Sequence, residues 1–357
     1  MRLTRCDCQL LQLPGSGAGG PERVAVLLVH LETDDGLLST GFAYTIQGSG
    51  RALLAAAVDD IAPILTGEDP LDHERLAAKV YWRLQSIGRR GLVAQAYSAF
   101  DVALWDLKSK SAGLPLYKLL GGAREATPAF VGDAGWPGME PGDVLDVARP
   151  LLERGLMGVK LCQSGDPEAD ADRTQRVREA LGEDIWLAVD AGQRYDYGTA
   201  LAMGHFFEEE IGTDWFENPV LCEDVGAHAR LAQKLEVPLA AGSFLFSREE
   251  FENYLVRDAV AVLRPDITRL GGLTAVLKIT ALAELHHRSV APHALPEIGV
   301  HLACGLPGVS AIEYVGWLQP LWTESLRIED GKLRPPDSPG LGLMLDPDAV
   351  AKFRLRD

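Results

Sequence analysis

The stretch MGVKLCQSGDPEADADRTQRVREALGEDIWLAVD, from Met157 to Asp190, decides the fold because it places a helical segment between two strand-like runs. MGVKLC and IWLAVD are short, apolar and bounded by turn residues, which is typical of buried strands. DADRTQRVREALG, between them, has helical periodicity. Two strands that are joined through a helical crossover run parallel, so the stretch is predicted to be a β-α-β unit.

The same alternation of strand and helix continues in both directions after Thr127. The strand-like runs are PAFVG, MGVKLC, IWLAVD, DWFE, PLAA, VAVLRPD, SVAPH and SAIEY. Eight parallel strands with intervening helices predict an α/β fold closed into a (β/α)8 TIM-type barrel. An open doubly wound sheet is the alternative, but no G-x-G-x-x-G follows the first strand to favour it.

The segments that flank the barrel have a different character. RVAVLLVHLETDDGLLSTGFAYTI predicts two strands around a turn, and helical spacing runs from Pro70 to Leu120. We therefore predict an N-terminal α+β capping domain over 1–125 and the barrel over 126–325. The Pro- and Gly-rich segment 326–357 is expected to pack back on the cap and complete it, and LPGSGAGGP at 13–21 is expected to be a mobile loop.

Composition narrows the class of function. The 357 residues carry a net charge of −17, which argues against nucleic acid and anionic membranes as partners. No run approaches the ~18 apolar residues of a membrane span, and the first residues do not form a signal peptide. Five scattered cysteines match neither a disulfide framework nor a zinc site, so a reducing cytoplasm is expected.

Polar residues close the predicted barrel strands, at the end of such barrels where catalytic groups gather. They are Lys160, Asp190, Glu217, Ser243, Asp266, His293 and Glu313. Six of these seven are ionisable, which turn chemistry alone does not explain. Lys160 shares its face of the strand with Cys162, because side chains two residues apart project from the same side.

Two pairs within this set predict chemistry. Asp190 and Glu217 come from adjacent strands, so their carboxylates are expected to converge on a hard cation, with Mg²⁺ the most plausible. His293 and Asp266 also end neighbouring strands, and a carboxylate beside an imidazole holds it in one tautomer and raises its basicity. This second pair is therefore predicted to be a general base.

These residues lie in motifs that resemble the mandelate racemase group of the enolase superfamily. The motifs are DVALWDLKSKSAGLPLYKLLGG, VDAGQ, WFENPV, LRPDITRLGG, APHALPEIGVHLA and IEY, in the family's order and spacing over nearly the whole chain. The resemblance implies abstraction of the proton α to a carboxylate, with Mg²⁺ stabilising the resulting enediolate. The intermediate is then reprotonated or loses a β-hydroxyl.

The resemblance also implies a role for each matching position. Asp190 and Glu217 would bind the metal, and the Asp266–His293 dyad would act as base or acid. Glu313 would hydrogen-bond the substrate carboxylate, against which Lys160 would also lie.

Two positions depart from the family's pattern. Cys162 stands where the family has a second lysine, which is normally the opposite base, and Ser243 stands at the position of the third metal carboxylate. Water, the Ser243 hydroxyl and the amide of Asn218 could complete a magnesium site. One substitution removes a positive charge and the other a negative charge, so we hypothesise that they compensate electrostatically.

The expected reaction follows from the single remaining base. We expect a Mg²⁺-dependent lyase that dehydrates a hydroxylated carboxylic acid such as a sugar acid. One alternative is a racemase or epimerase in which Cys162, as a thiolate whose pKa is lowered by Lys160 and the metal, is the second base; as a thiol it would only fill space. A further alternative is a metal-poor, non-catalytic binding protein. The family resemblance also implies a homo-oligomer, from dimer to octamer, and Trp136 is expected either to line the pocket or to pack.

Overall fold

The computed structural model describes residues 1–17, 19–46 and 48–355. Ala18, inside the predicted loop at 13–21, lies outside the described residues, as do Gln47 of the predicted cap and Arg356 and Asp357 of the C-terminal segment. All other parts of the predicted domains are described below.

The N-terminal part begins with a three-stranded antiparallel meander and continues with helices. Its strands, in the sheet order β1-β2-β3, are β1 (Leu3–Pro14), β2 (Arg23–Thr33) and β3 (Leu38–Thr45). The helices are α1 (Arg51–Ala55), a π-helical turn (Ala56–Ile61), α2 (Ala62–Leu65), α3 (His73–Arg83), α4 (Leu92–Ser111) and α5 (Leu116–Leu119). The predicted turn between β2 and β3 forms where expected, with Gly36 at a φ of 83°.

Helix α4 is the element that joins this cap to the barrel. It is rich in alanine and leucine and buried along most of its length, because one side packs on β3 and another on the barrel. From that second side, Asp101 accepts hydrogen bonds from the backbone N–H of Thr274 at 2.9 Å and from its hydroxyl at 2.6 Å. The contact fixes the cap over the barrel mouth.

The barrel contains the eight predicted parallel strands. They are β4 (Thr127–Val131), β5 (Gly158–Cys162), β6 (Trp186–Asp190), β7 (Trp215–Glu217), β8 (Leu239–Ala241), β9 (Val262–Leu263), β10 (Ser289–Val290) and β11 (Ile312–Tyr314). The helices around them are α6 (Pro141–Leu152), α7 (Pro167–Leu181), α8 (Tyr197–Phe206) with a π-helical extension (Phe207–Ile211), α9 (Val225–Ala232), α10 (Arg248–Leu255), α11 (Leu273–Leu285) and α12 (Pro296–Gly305).

Closure of the sheet distinguishes a barrel from the open alternative. Strands β4 to β10 pair in chain order, and β11 returns to pair with β4, with Glu313 opposite Phe130. The remaining gap, between β10 and β11, is closed by a parallel bridge between Val290 and Val309. The predicted α/β fold with a capped (β/α)8 barrel is confirmed.

An aromatic cluster fills the barrel interior beneath the strand ends. Phe130, Trp186 and Trp215, which we call the aromatic floor, have ring centroids 4.7–5.3 Å apart. Trp215 precedes Glu217 by two residues and therefore faces the same interior one layer lower. The polar residues at the strand ends thus stand on a dry, apolar base.

The C-terminal segment connects the barrel back to the cap. It contains a short 3₁₀ helix (Gln319–Leu321), β12 (Arg327–Glu329), β13 (Lys332–Arg334) and α13 (Pro347–Phe353). Strand β13 pairs with the start of β4, whereas the backbone N–H of Leu355 donates to the carbonyl of Leu10 at 2.8 Å. Asp106 of α4 also accepts from the N–H of Leu341 at 2.8 Å.

Candidate active site

The structure brings all seven predicted strand-end residues into one network at the cap side of the barrel. Lys160 lies at its centre, with its ammonium nitrogen 2.7 Å from Glu313 Oε1, 3.4 Å from Asp190 Oδ2 and 3.7 Å from Glu217 Oε2. Only 2% of Lys160 is exposed. Burial alone would lower its pKa, but the three carboxylates raise the pKa above its usual range, so Lys160 is a permanent cation.

The predicted dyad is formed and is held by additional donors. Asp266 Oδ2 lies 3.3 Å from His293 Nδ1, accepts from the hydroxyl of Tyr44 at 2.8 Å and lies 3.2 Å from Nε of Arg269. Its other oxygen accepts from both the N–H and the hydroxyl of Thr268. Burial would raise the pKa of Asp266, but the partners His293, Arg269 and Tyr44 outweigh it and lower the pKa to about 2.

The orientation of His293 follows from the backbone after β10. Ala294 and Leu295 have φ values of 49° and 44°, a region that L-residues rarely adopt, so the chain turns sharply just after His293. The imidazole Nδ1 is engaged by Asp266, whereas Nε2 points the other way and lies 3.8 Å from Glu313 Oε2. The side chain keeps 18% exposure, so Nε2 can meet a substrate.

Glu313 is surrounded by donors. Oε1 binds the ammonium of Lys160, and Oε2 accepts from Arg264 Nη2 at 2.5 Å and from the N–H of Ala294 at 3.0 Å. Burial would raise the pKa of Glu313, but Lys160, Arg264 and His293 hold the pKa well below its usual range. Glu313 is therefore an ionised acceptor in this structure, and the hydrogen bond to a substrate carboxylate that the resemblance implies would need a proton on it.

The predicted metal pair is also adjacent, and its neighbours extend the set of oxygens. The amide nitrogen of Asn218 lies 3.2 Å from Asp190 Oδ1, 3.4 Å from Glu217 Oε1 and 3.1 Å from Ser243 Oγ. Three oxygens from neighbouring strands thus converge on one point, which we call the metal seat. Asn218 Oδ1 is buried and has no hydrogen-bond partner among the residues that the structure describes, so a turn of the amide would offer a fourth oxygen. An all-oxygen set with two carboxylates fits Mg²⁺.

Cys162 lies among carboxylates at the end of β5. Burial and the charge of Asp190 raise the pKa of its thiol to about 12, and the ammonium of Lys160 offsets only part of this effect. The strand end therefore favours the thiol that fills space over the thiolate of the racemase alternative. Its backbone is fixed by hydrogen bonds to Gly135 at 2.7 Å and from Arg173 at 3.0 Å.

Four charged or polar residues of the site were not predicted: Arg264, Tyr44, Thr268 and Arg269. Arg264 binds both Glu217 and Glu313, and Tyr44 of the cap binds Asp266. Arg264 precedes Asp266 by two residues, so the period-two argument that linked Lys160 to Cys162 would have placed it on the inner face. No local signal identifies Tyr44, because it contacts a residue 222 positions away.

The barrel mouth is covered by aromatic residues. Trp136 stacks on Trp317 with ring centroids 6.1 Å apart, and Tyr44 lies 5.3 Å from Trp317. The Gly-rich loop reaches the same place, where Trp317 Nε1 donates to Ser16 Oγ at 2.6 Å. A Cβ on Gly20 would lie within 3 Å of the Trp136 ring, so glycine permits this close approach. Trp136 both packs and borders the mouth.

Comparisons with known proteins agree with this architecture. The family profile "Mandelate racemase / muconate lactonizing enzyme, N-terminal domain" matches residues 17–121, and the profile "Enolase C-terminal domain-like" matches residues 143–349. Together they span most of the cap and the barrel. The chain therefore belongs to the mandelate racemase/muconate lactonizing enzyme family of the enolase superfamily, as the motifs predict.

Individual relatives are similar over nearly the whole chain. The L-talarate/galactarate dehydratase of Salmonella typhimurium is 38% identical over 328 residues, covering 91% of this chain and 82% of the relative. The D-galactarolactone cycloisomerase of Agrobacterium fabrum is 32% identical, covering 94% and 93%. A crystal structure of L-talarate dehydratase from Polaromonas sp., complexed with Mg and L-glucarate, is 38% identical with a TM-score of 0.91 and covers 99% of this chain and 98% of that one.

Proposed function

We propose that this protein is a Mg²⁺-dependent dehydratase of sugar acids. The observation that carries the proposal is the position of His293, whose Nδ1 is held by Asp266 while Nε2 faces the Lys160–Glu313 pair. A base is thereby aimed at the place where a permanent cation would hold a carboxylate. The names of the relatives, which include dehydratases of galactarate and of D-galactonate, support a polyhydroxylated acid as substrate.

The first step is removal of the proton α to the carboxylate. Lys160 binds the substrate carboxylate and, by its charge, stabilises the negative charge that develops on its oxygens. His293 Nε2 accepts the α-proton, and Asp266 stabilises the imidazolium that forms. Mg²⁺, when bound, supplies further positive charge for the same oxygens, and Asp190, Glu217, Ser243 and Asn218 would hold it.

The second step is loss of the β-hydroxyl. His293 returns its proton to that hydroxyl, the C–O bond breaks and water leaves, while a C=C bond forms between Cα and Cβ. The resulting enol tautomerises to a 2-keto acid. One group on one face suffices for this sequence, which agrees with a chain that has Cys162 where the family places a second base.

The two alternatives are less well supported by the site. A racemase or epimerase needs a group that exchanges protons on the opposite face, and burial keeps Cys162 a thiol at neutral pH. A non-catalytic binding protein would not need the Asp266–His293 pair, in which four further donors hold Asp266. These donors are the Tyr44 hydroxyl, Arg269 Nε, and the N–H and hydroxyl of Thr268.

We also propose a cytoplasmic homo-oligomer. The five cysteines are free, which suits a reducing compartment. The exposed aromatic pair Tyr81 and Trp82 on α3, 48% and 61% accessible, supports contact with a further copy of the chain. In the described part of the chain, no helix has the combined length and apolarity that crossing a bilayer requires.

The test is turnover of a panel of aldaric and aldonic acids in Mg²⁺-containing D₂O. We expect the native protein to form a 2-keto acid. The rate of its formation should fall by about 100-fold or more in His293→Asn. His287→Asn, an exposed position outside the site, is the matched control and should keep full activity. Inversion at Cα without loss of water would favour the racemase, and binding of the acids without turnover would favour the binding protein.

A further inference from the structure

Arg264 is a fully buried charged side chain beside the metal seat. It directly follows β9, and none of its surface is accessible. Nε lies 3.1 Å from Glu217 Oε2, and Nη2 lies 2.5 Å from Glu313 Oε2. Arg264 therefore bridges a predicted metal ligand and the partner of Lys160.

The guanidinium has no freedom to leave this position. Nη1 donates to the carbonyls of Ala291 at 2.7 Å and Pro292 at 3.3 Å, which are fixed parts of the barrel wall. Its Cζ atom also lies 5.3 Å from the Phe130 ring centroid and 5.2 Å from that of Trp215. A cation arriving at the seat cannot displace Arg264 into solvent, because the aromatic floor lies beneath it.

The charge of Arg264 is permanent. A guanidinium is not deprotonated in proteins, and this one lies between the carboxylates of Glu217 and Glu313. Three carboxylates, those of Asp190, Glu217 and Glu313, thus face the two cations Lys160 and Arg264. Only one negative charge is left uncompensated where a divalent cation would bind.

The affinity of an oxygen site for a divalent cation depends on how many negative charges its ligands present. We propose that Arg264 is a positioning residue that lowers the Mg²⁺ affinity of this site. It holds Glu217 through Oε2, which directs Oε1 towards the metal seat. Its positive charge also neutralises part of the negative carboxylate charge that would otherwise attract the metal. The proposal rests on the proposed function only in taking the seat as a magnesium site.

Direct titration of the metal-free protein with MgCl₂ by calorimetry tests this. We expect the native protein to bind Mg²⁺ with a dissociation constant of about 10⁻⁴–10⁻³ M, and Arg264→Gln to bind it at least about tenfold more tightly. Arg264→Lys keeps the positive charge but not the planar fork that bridges the two carboxylates, so its affinity should fall between those of the native protein and Arg264→Gln. Micromolar binding by the native protein, or equal affinities of the native protein and Arg264→Gln, overturns the proposal.

Removing a buried cation leaves Glu217 and Glu313 without a partner, so Arg264→Gln can lose its fold in chelator. In that case the affinity for Mg²⁺ is obtained from the Mg²⁺ concentration at which the variant refolds, with circular dichroism as the measure of folding. Refolding at a lower Mg²⁺ concentration than saturates the native protein confirms the inference, and failure to refold at saturating Mg²⁺ contradicts it. None of these measurements depends on turnover, so a failure of the proposed dehydration is seen separately in the keto-acid assay.

Discussion

The hydroxyl of Tyr44 donates a 2.8 Å hydrogen bond to Oδ2 of Asp266, so a strand of the cap reaches the acid of the barrel's dyad. The same oxygen faces His293 Nδ1 at 3.3 Å. Burial and the charge of Asp266 raise the pKa of Tyr44 well above its usual value, so the hydroxyl remains a donor at working pH. The cap therefore takes part in orienting the base as well as in covering the mouth.

Tyr44→Phe is expected to lower kcat about tenfold and to change KM little, because a hydrogen bond to a charged group contributes about 1.5–3 kcal/mol and here orients the base. Steady-state kinetics on the acid found in the panel measures both constants. Tyr117→Phe, which removes a longer 3.4 Å contact to Asp337 in the cap, is the matched control and should retain activity. An unchanged kcat in Tyr44→Phe would show that Tyr44 does not help to orient the Asp266–His293 dyad.

Gly132→Ala is expected to weaken binding of the substrate carboxylate, because Glu313 would no longer hold Lys160 in place. A Cβ at Gly132 would clash with Oε1 of Glu313 and would lie 2.7 Å from its Cδ, so the Glu313 side chain must shift away from Lys160. Overpacking of this kind costs about 1–3 kcal/mol of stability. Binding of a non-reacting dicarboxylate by calorimetry, with thermal unfolding alongside, measures both effects. Gly142→Ala on α6, where no atom of the described part of the chain lies within 4 Å of the added Cβ, should leave both unchanged or slightly improve stability.

Glu297→Gln is expected to change stability in a pH-dependent way. Burial raises the pKa of Glu297 to about 7 in the folded protein, above its value of 4.5 in the unfolded chain. The folded state therefore binds the extra proton between these pH values, and stability falls as pH rises from about 4.5 to 7.

The glutamine amide cannot ionise. The free energy of unfolding of Glu297→Gln, relative to that of the native protein, should therefore rise by up to about 3 kcal/mol between pH 4.5 and pH 8. Chemical denaturation at the two pH values measures the difference. Glu324→Gln on the surface is the control, and its effect should be the same at both pH values. An equal effect of Glu297→Gln at both pH values would show that Glu297 ionises in the folded protein as it does in the unfolded chain.

Ser243→Glu alone is expected to perturb the protein more than the double change Ser243→Glu with Cys162→Lys. Ser243 is 3% exposed, and a carboxylate there would join Asp190 and Glu217 without a new counter-charge. A lysine at 162, opposite Asp190 in the sheet, would restore the balance. Thermal unfolding in chelator and the keto-acid assay give the double-mutant coupling. A single variant that performs better than the double variant would refute the compensation of charges.

The barrel was predictable from sequence because each strand is an apolar run that ends in a polar residue. That regularity also places Lys160, Asp190 and Glu313 correctly, since the carboxyl ends of parallel strands meet at one mouth. The closing contact between Val290 and Val309 was not predictable, because β10 is only two residues long and its pairing depends on the fit of the whole barrel.

The remaining parts of the site depend on tertiary structure. Tyr44 reaches Asp266 only because α4 anchors the cap, and the ionised state of Glu313 is set by donors from three separate strand ends. The protonation state of Cys162 was left open between thiol and thiolate for a similar reason, since sequence shows the adjacent lysine but not the burial or the surrounding carboxylates. The roles of Asp190, Glu217, Ser243, Asp266, His293 and Glu313 in turnover stay predictions, and the variants above test those of His293 and Ser243.

The aromatic floor has a practical consequence for all of these experiments. Trp215 lies against the guanidinium of Arg264, one layer below Glu217, so its indole experiences the electric field of the seat directly. Its fluorescence should shift when a cation or a carboxylate enters above it. The chain has seven tryptophans, and the difference spectrum between the native protein and Trp215→Phe isolates this one. The barrel thus contains its own optical reporter of occupancy, at a point that no added dye could reach.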